Sequence, residues 1–303
     1  KDLKKIYFIL PVVLFAVFLI VFILNTLFII WIDTHKVFSS PIILKSDYKY
    51  PVIKTEFIPK ISATGAIIMD ADSKVVLYAK NPDLRFSPAS TTKIMTAMIA
   101  SDYFKPKDLL TVKNSTSEGS TIGLIAGQNF TFENLLYAML LPSANDAALT
   151  VSENIPGGTP VFIRAMNKKT KYLDLPHTHY GDPAGLLDTQ DYTTPFDLAR
   201  LSSFALDYPL IKKVVSTKEK VITDITGTSV YSLNNLNKLL GIDGVNGIKT
   251  GFTQEAGQVL VTSKLEKGKT IIIVVMGSED RFLDTAKLLD LVSYNLTYLS
   301  LHP

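Results

Sequence analysis

Ser90 and Lys93 stand three residues apart in Ser87-Pro88-Ala89-Ser90-Thr91-Thr92-Lys93, just ahead of an apolar helical stretch. Pro88 favours a helix start, which places both side chains on one face of the first turn. A serine hydroxyl is a weak nucleophile until a base takes its proton. A lysine one turn away is such a base once burial and a second nearby cation disfavour its charge. The helix N-terminus adds partial positive charge where the alkoxide develops. Taken alone, the pattern more often marks an N-capping serine followed by an exposed lysine.

Two further groupings gain meaning from their order. Ser143-Ala144-Asn145 follows Leu140-Leu141-Pro142 and precedes the helix-forming run Asp146-Ala147-Ala148. A hydroxyl and an amide two residues apart on a loop supply a proton relay and a donor–acceptor pair for an amide substrate, although a capped helix start explains the same letters. Lys249-Thr250-Gly251 lies within Asp243-Gly244-Val245-Asn246-Gly247-Ile248-Lys249-Thr250-Gly251-Phe252. There the glycines let an edge strand approach an extended peptide, and Lys249 and Thr250 suit a carboxylate or an oxyanion. A phosphate loop is excluded, because Ile248 stands where such a loop needs glycine.

Other chemistries find less support. The chain has no cysteine, which rules out a disulfide framework, a thiolate metal site and a cysteine nucleophile. His177 and His179 near Asp182 lack a third ligand at recognisable spacing. No Gly-x-Ser-x-Gly elbow is present for a Ser-His-Asp hydrolase. With 31 basic and 28 acidic side chains, the chain carries no electrostatic footprint for nucleic acid.

The elements that must position these residues follow from periodicity. Ala66–Met69 and Val75–Tyr78, joined by Asp70-Ala71-Asp72-Ser73-Lys74, predict a β-hairpin. Helical spacing runs over Lys93–Tyr103, Phe132–Leu141 and Asp197–Leu206. Gln258–Ser263 and Lys269–Met276 read as two strands, and Asp280–Leu299 as a closing helix. Strands, then helices, then strands and a helix imply an α+β domain over 61–303. Upstream, Ile6 to Trp31 is nearly all apolar and exceeds the ~20 residues that cross a bilayer. Lys1, Lys4 and Lys5 before it place residues 1–5 in the cytoplasm, a transmembrane anchor at 6–32 and the remainder outside the bacterial cytoplasmic membrane. A cleaved signal peptide would have a shorter core ending in a small-x-small site. Residues 33–60, with Pro41, Pro51 and Pro59, read as a semi-extended stalk.

Ser-x-x-Lys, Ser-x-Asn and Lys-Thr-Gly in this order form the signature of active-site serine penicilloyl enzymes. The text from Ser87 to Ala97 and from Gly247 to Gly257 closely resembles the D-alanyl-D-alanine carboxypeptidases among the low-molecular-mass penicillin-binding proteins, peptidase family S11. Gly119-Ser120-Thr121, Asp182-Pro183-Ala184-Gly185-Leu186 and Tyr192-Thr193-Thr194-Pro195-Phe196-Asp197-Leu198-Ala199 extend the resemblance over about residues 62–300.

The resemblance implies a serine β-lactamase/DD-peptidase-like fold: an antiparallel sheet flanked by helices, plus an all-helical subdomain. It implies that Ser90 attacks the penultimate D-Ala carbonyl of a peptidoglycan stem peptide, with Lys93 as base. Ser143 and Lys249 would relay the proton, and Asn145 would hold the substrate amide. The N–H groups of Ser90 and Phe252, beside Gly251, would form the oxyanion hole, while Thr250 and Arg281 would bind the terminal carboxylate. No cofactor is called for, and β-lactams would acylate Ser90. DD-endopeptidases share all three motifs and stand as the alternative. A class A β-lactamase would need a Glu-x-x-Leu-Asn-type loop that is not found, and an inactive wall-binding protein would not need every catalytic position filled.

Overall fold

The computed structural model describes residues 18–27, 48–187 and 189–301. The chain divides into two units, Lys1–Asp47 and Tyr48–Pro303. In the first, α1 (residues 18–27) is an apolar helix with exposed side chains. No helix among the described residues is long and apolar enough to cross a membrane. The remainder of the expected span at 6–32, the tail at 1–5 and stalk residues 33–47 lie outside the described residues.

The second unit is built on β2 (Gly65–Asp70), β3 (Val76–Lys80), β8 (Val245–Thr253), β9 (Gly257–Glu266) and β10 (Lys269–Ser278), paired antiparallel in the order β3-β2-β10-β9-β8. The β2–β3 turn closes because Asp70 Oδ1 accepts from the Ser73 amide at 2.8 Å and its hydroxyl at 2.7 Å. Both faces of the central strands are covered. Side chains of a strand alternate between faces, so Ile271, Ile273 and Val275 pack on α8 (Arg281–Asn295) with Leu288 and Val292. Ile272, Val274 and Met276 join the larger core on the opposite face. That explains why β10 reads as a continuous apolar run from Ile271 to Met276.

The larger core is closed by helices. The central one is α2 (Thr92–Tyr103), buried at every residue from Thr92 to Ala100. Around it lie α3 (Phe132–Leu140), α4 (Asn145–Asn154), α5 (Gly158–Tyr172), α6 (Pro195–Ala205) and α7 (Pro209–Val215). Thr131 caps α3 by accepting from the Asn134 amide, and Thr194 caps α6 by accepting from Asp197, as expected where the first N–H groups lack partners.

Two small antiparallel ribbons, β4 (Leu109–Thr111) with β5 (Asn129–Thr131) and β6 (Glu219–Thr223) with β7 (Val230–Asn234), also belong to the second unit. Two expectations change. The closing helix ends at Asn295 instead of Leu299, and β11 (Leu296–Leu301) pairs antiparallel with β1 (Tyr48–Ile53). Residues 48–53, read as stalk, are therefore a strand of the folded body. Pro51 opposes Tyr298, a position a two-stranded ribbon tolerates because proline lacks only the N–H.

Candidate active site

Pro88 precedes a single 3-10 turn, Ala89–Thr91, that runs directly into α2. Ser90 sits in this turn and Lys93 in the first helical turn beyond it. Lys93 is fully buried. Its Nζ lies 3.2 Å from Ser90 Oγ and donates to Asn145 Oδ1 and to the Ala184 carbonyl, both at 2.7 Å. A neutral amine has two N–H groups and one lone pair. Two pure acceptors take both hydrogens, leaving the lone pair for the Ser90 hydroxyl. Burial lowers the Lys93 pKa to about 7, against the opposing pull of Asp182 and Asp146, so the base form is well populated near neutrality.

Ser143 and Asn145 occupy the junction of α3 and α4. The N-cap of α4 is Ala144 without a side-chain cap, so neither polar side chain is spent as a cap. Ser143 has φ +70°, and its buried Oγ has no hydrogen-bond partner. Asn145 is stitched to the preceding segment: its N–H donates to the Ser120 carbonyl at 2.7 Å and its Nδ2 to the Glu118 carbonyl at 2.8 Å. One Nδ2 hydrogen remains for a substrate.

Lys249, Thr250, Gly251 and Phe252 lie on β8, the outer strand of the sheet. Lys249 is buried and its Nζ donates to the Thr250 carbonyl at 3.0 Å. Burial, followed by the charges of Lys93 and Arg281, holds its pKa well below that of an ordinary lysine. A β-carbon on Gly251 would meet Pro88 O at 3.2 Å, Ala89 Cβ at 3.3 Å and Ser90 N at 3.4 Å. The missing side chain is thus what lets the strand lie against the Ser90 turn. Phe252 is exposed beside it. Arg281, at the start of α8, donates from Nη1 to the Gly251 carbonyl at 2.8 Å, while its buried Nε has no partner.

Every residue expected at the site from sequence therefore belongs to one connected neighbourhood: the 3-10 turn, the α3–α4 junction, β8 and the first turn of α8. Three further participants were not foreseen. Ala184 contributes a backbone carbonyl, which no residue type announces. Asp182 holds that carbonyl in place by accepting from the amides of Ala184, Gly185, Leu186 and Leu187 at 2.6–2.8 Å. Asp146 accepts from the amides of Ile122, Gly123 and Leu124. The Asp182–Leu186 run was singled out for its family resemblance, but as a turn signal it gave the first two no role. His177 and His179 are engaged elsewhere: the His177 amide donates to Asp197, and the His179 ring stacks on Tyr192.

A nucleophile, a buried amine in contact with it, a second buried amine and an edge strand are the components of acyl transfer to serine. Comparison with known proteins agrees. Residues 53–280 match the family model of peptidase family S11, D-alanyl-D-alanine carboxypeptidase. The chain is 32% identical over 248 residues to D-alanyl-D-alanine carboxypeptidase DacF of Bacillus subtilis, covering 80% of this chain and 64% of that protein. It is also 32% identical to a D-alanyl-D-alanine endopeptidase of Escherichia coli, covering 76% of this chain and 77% of the other. The crystal structure of the Streptomyces K15 DD-transpeptidase superposes with a TM-score of 0.73 at 31% identity, covering 78% of this chain and 98% of that one. The antiparallel sheet, its helices and these matches establish that the chain belongs to the D-alanyl-D-alanine carboxypeptidase family of peptidases, family S11.

Proposed function

We propose that this chain is a serine-type D-Ala-D-Ala carboxypeptidase that trims peptidoglycan stem peptides and is acylated by β-lactams. The observation that carries the reading is Lys93 Nζ, buried and bound to two carbonyl acceptors, facing Ser90 Oγ at 3.2 Å. In this scheme Ser90 Oγ bonds to the penultimate D-Ala carbonyl carbon as its proton passes to Lys93. The N–H groups of Ser90 and Phe252 hold the oxyanion, each such donor being worth roughly 3 kcal/mol. Ser143 and Lys249 relay that proton from Lys93 to the departing nitrogen, the C–N bond breaks, D-alanine leaves and Lys93 is neutral again. Asn145 holds the substrate amide, and Thr250 with Arg281 holds the terminal carboxylate. Water, deprotonated by Lys93, then cleaves the Ser90 ester, and Lys93 returns the proton to Ser90 Oγ.

The test is intact-mass spectrometry after exposure to benzylpenicillin and then to diacetyl-Lys-D-Ala-D-Ala, for wild type and Ser90→Ala. A lasting penicilloyl adduct that Ser90→Ala abolishes, together with D-Ala release, is the expected result. An adduct without D-Ala release would favour a second reading, DD-endopeptidase, which the likeness to the E. coli enzyme supports. Rapid loss of the adduct would favour a β-lactamase. No adduct at all would favour a wall-binding protein without catalysis.

The apolar run at 6–32 with its leading lysines supports a single-pass anchor that holds the catalytic domain on the outer face of the cytoplasmic membrane. Alkaline carbonate extraction checks it: the full chain stays with the membrane pellet, and a chain starting at residue 34 is released.

A further inference from the structure

Lys93 has to accept a proton during acylation, yet it is buried and faces other cations. Its charge acts on Lys249 of β8, and so does that of Arg281 at the start of α8. The groups of opposite sign are Asp146 on α4 and Asp182 on the loop before α6. Neither is among the direct partners of Lys93 Nζ, which are Ser90, Asn145 and Ala184.

Both carboxylates are instead consumed by backbone amides. Asp182 Oδ1 takes the amides of Ala184 and Gly185 at 2.6 and 2.7 Å, and Oδ2 those of Leu186 and Leu187, both at 2.8 Å. This folds the chain so that the Ala184 carbonyl meets Lys93, with Thr96 Oγ1 bracing the adjoining Pro183 carbonyl at 2.6 Å. Asp146 Oδ2 takes the amides of Ile122, Gly123 and Leu124 at 2.9–3.1 Å. With the Asn145 bonds to Ser120 and Glu118, this ties segment 118–124 to the start of α4 and orients the Asn145 amide toward Lys93. Two loops far apart in sequence thus carry the same device.

We propose that Asp146 and Asp182 are positioning residues for the acylation step: Asp182 clamps the loop whose Ala184 carbonyl faces Lys93, Asp146 clamps the segment whose carbonyls orient Asn145 toward it, and each leaves its negative charge beside the amine that becomes an ammonium. The inference rests on the reading of Lys93 as the base. Contact between a carboxylate and the amine would lock Lys93 as a permanent ammonium, because a directly paired lysine holds its proton. Charge supplied across a gap, from groups already saturated by N–H donors, stabilises the developing ammonium while leaving the resting amine free to act.

The test is the second-order rate constant for benzylpenicillin acylation of Ser90, measured by intact mass from pH 5 to 9, for wild type, Asp182→Asn and Asp146→Asn. Removing either charge makes Lys93 a weaker base, so the acid limb moves to lower pH by about 1 unit, as expected for loss of a nearby opposite charge. The plateau rate falls at the same time. A purely structural clamp would lower the plateau and leave the limb in place, and that result in both variants overturns the proposal. If one variant fails to fold, the limb of the other decides. The same shift must then appear in the Lys93 13Cε resonance of that variant, and its absence also overturns the proposal. Wild type that is not acylated at Ser90 would instead refute the active-site reading beneath it.

Discussion

Gly185 lies so close to Ala89 that a β-carbon there would fall 2.0 Å from the Ala89 carbonyl oxygen. Gly185 also has φ +78°, so a side chain is opposed twice, once by its own backbone and once by the turn that holds Ser90. Gly185→Ala must push the 182–187 loop off the Ser90 turn, taking the Ala184 carbonyl from Lys93. A shift of ~1 Å in a reacting group costs on the order of a hundredfold in rate, and that is the expected loss in β-lactam acylation. Gly268→Ala is the control: Gly268 has φ +76° but open space around its β-position. It should lose stability and keep the acylation rate. Equal loss of rate in both variants would show that backbone strain, not the Gly185–Ala89 contact, is what matters.

Burial of Lys93 has a thermodynamic sign that a pH series can read. Its folded-state pKa is about 7 against 10.5 for an ordinary exposed lysine. Below pH 7 it is charged in both states, and folding carries the whole cost of burying the ammonium. Between pH 7 and 10.5 the folded protein sheds the proton first, so the unfolded chain binds more protons and stability rises with pH. The shift corresponds to about 5 kcal/mol at most. Lys93→Met should therefore unfold at higher urea than wild type at pH 6. The advantage should shrink and reverse by pH 10, because Met leaves Asn145 Oδ1 and the Ala184 carbonyl without a donor. At pH 6, relief of Lys249 from the charge of Lys93 adds to the advantage of the Met variant. A difference that stays constant across pH would contradict a buried, titrating Lys93.

What the sequence made legible has a physical pattern. Ser90 and Lys93 could be paired from spacing alone because one helical turn joins them. Ser143, Asn145 and Lys249 could be placed as motifs, but only folding shows Asn145 Oδ1 at 2.7 Å from Lys93 Nζ. The hairpin at β2–β3 and the strands β9 and β10 were visible because their pairing is local. The β1–β11 pair was not. Val52 opposes Thr297, and no short-range signal links segments so distant; apolar Leu296 and Tyr298 simply continue the helical spacing of α8. Ala184 was named in the family-like run but given no role for a different reason, since its contribution is a main-chain oxygen.

Arg281 offers a way to separate carboxylate recognition from scaffolding. Its Nη1 is spent on the Gly251 carbonyl, which braces β8, while Nε is buried without a partner. Replacing it affects both functions, so a bare drop in activity decides nothing. Arg281→Gln should lower kcat/KM for a peptide ending in a free carboxylate by roughly a hundredfold, in line with ~3 kcal/mol for a charge-assisted bond. For the same peptide capped as a C-terminal amide the loss should be severalfold smaller. Parallel losses on the two substrates would assign Arg281 to bracing β8 alone.

Ser143 is held at two costs that a structural residue would not retain. Its φ of +70° is unfavourable for a side chain, by roughly 1–2 kcal/mol. Its buried hydroxyl lacks a hydrogen-bond partner, a further ~1–3 kcal/mol. The proposed proton relay to the leaving nitrogen would account for keeping it. Ser143→Gly removes both costs and Ser143→Ala only the second, so thermal unfolding should rank Gly above Ala and Ala above wild type. Acylation should fall in both variants, by the ~10²–10⁴ typical of a lost general acid–base group. An Ala variant less stable than wild type would mean that the hydroxyl already has a partner in the resting enzyme, and the relay role would have to pass to Lys249 alone.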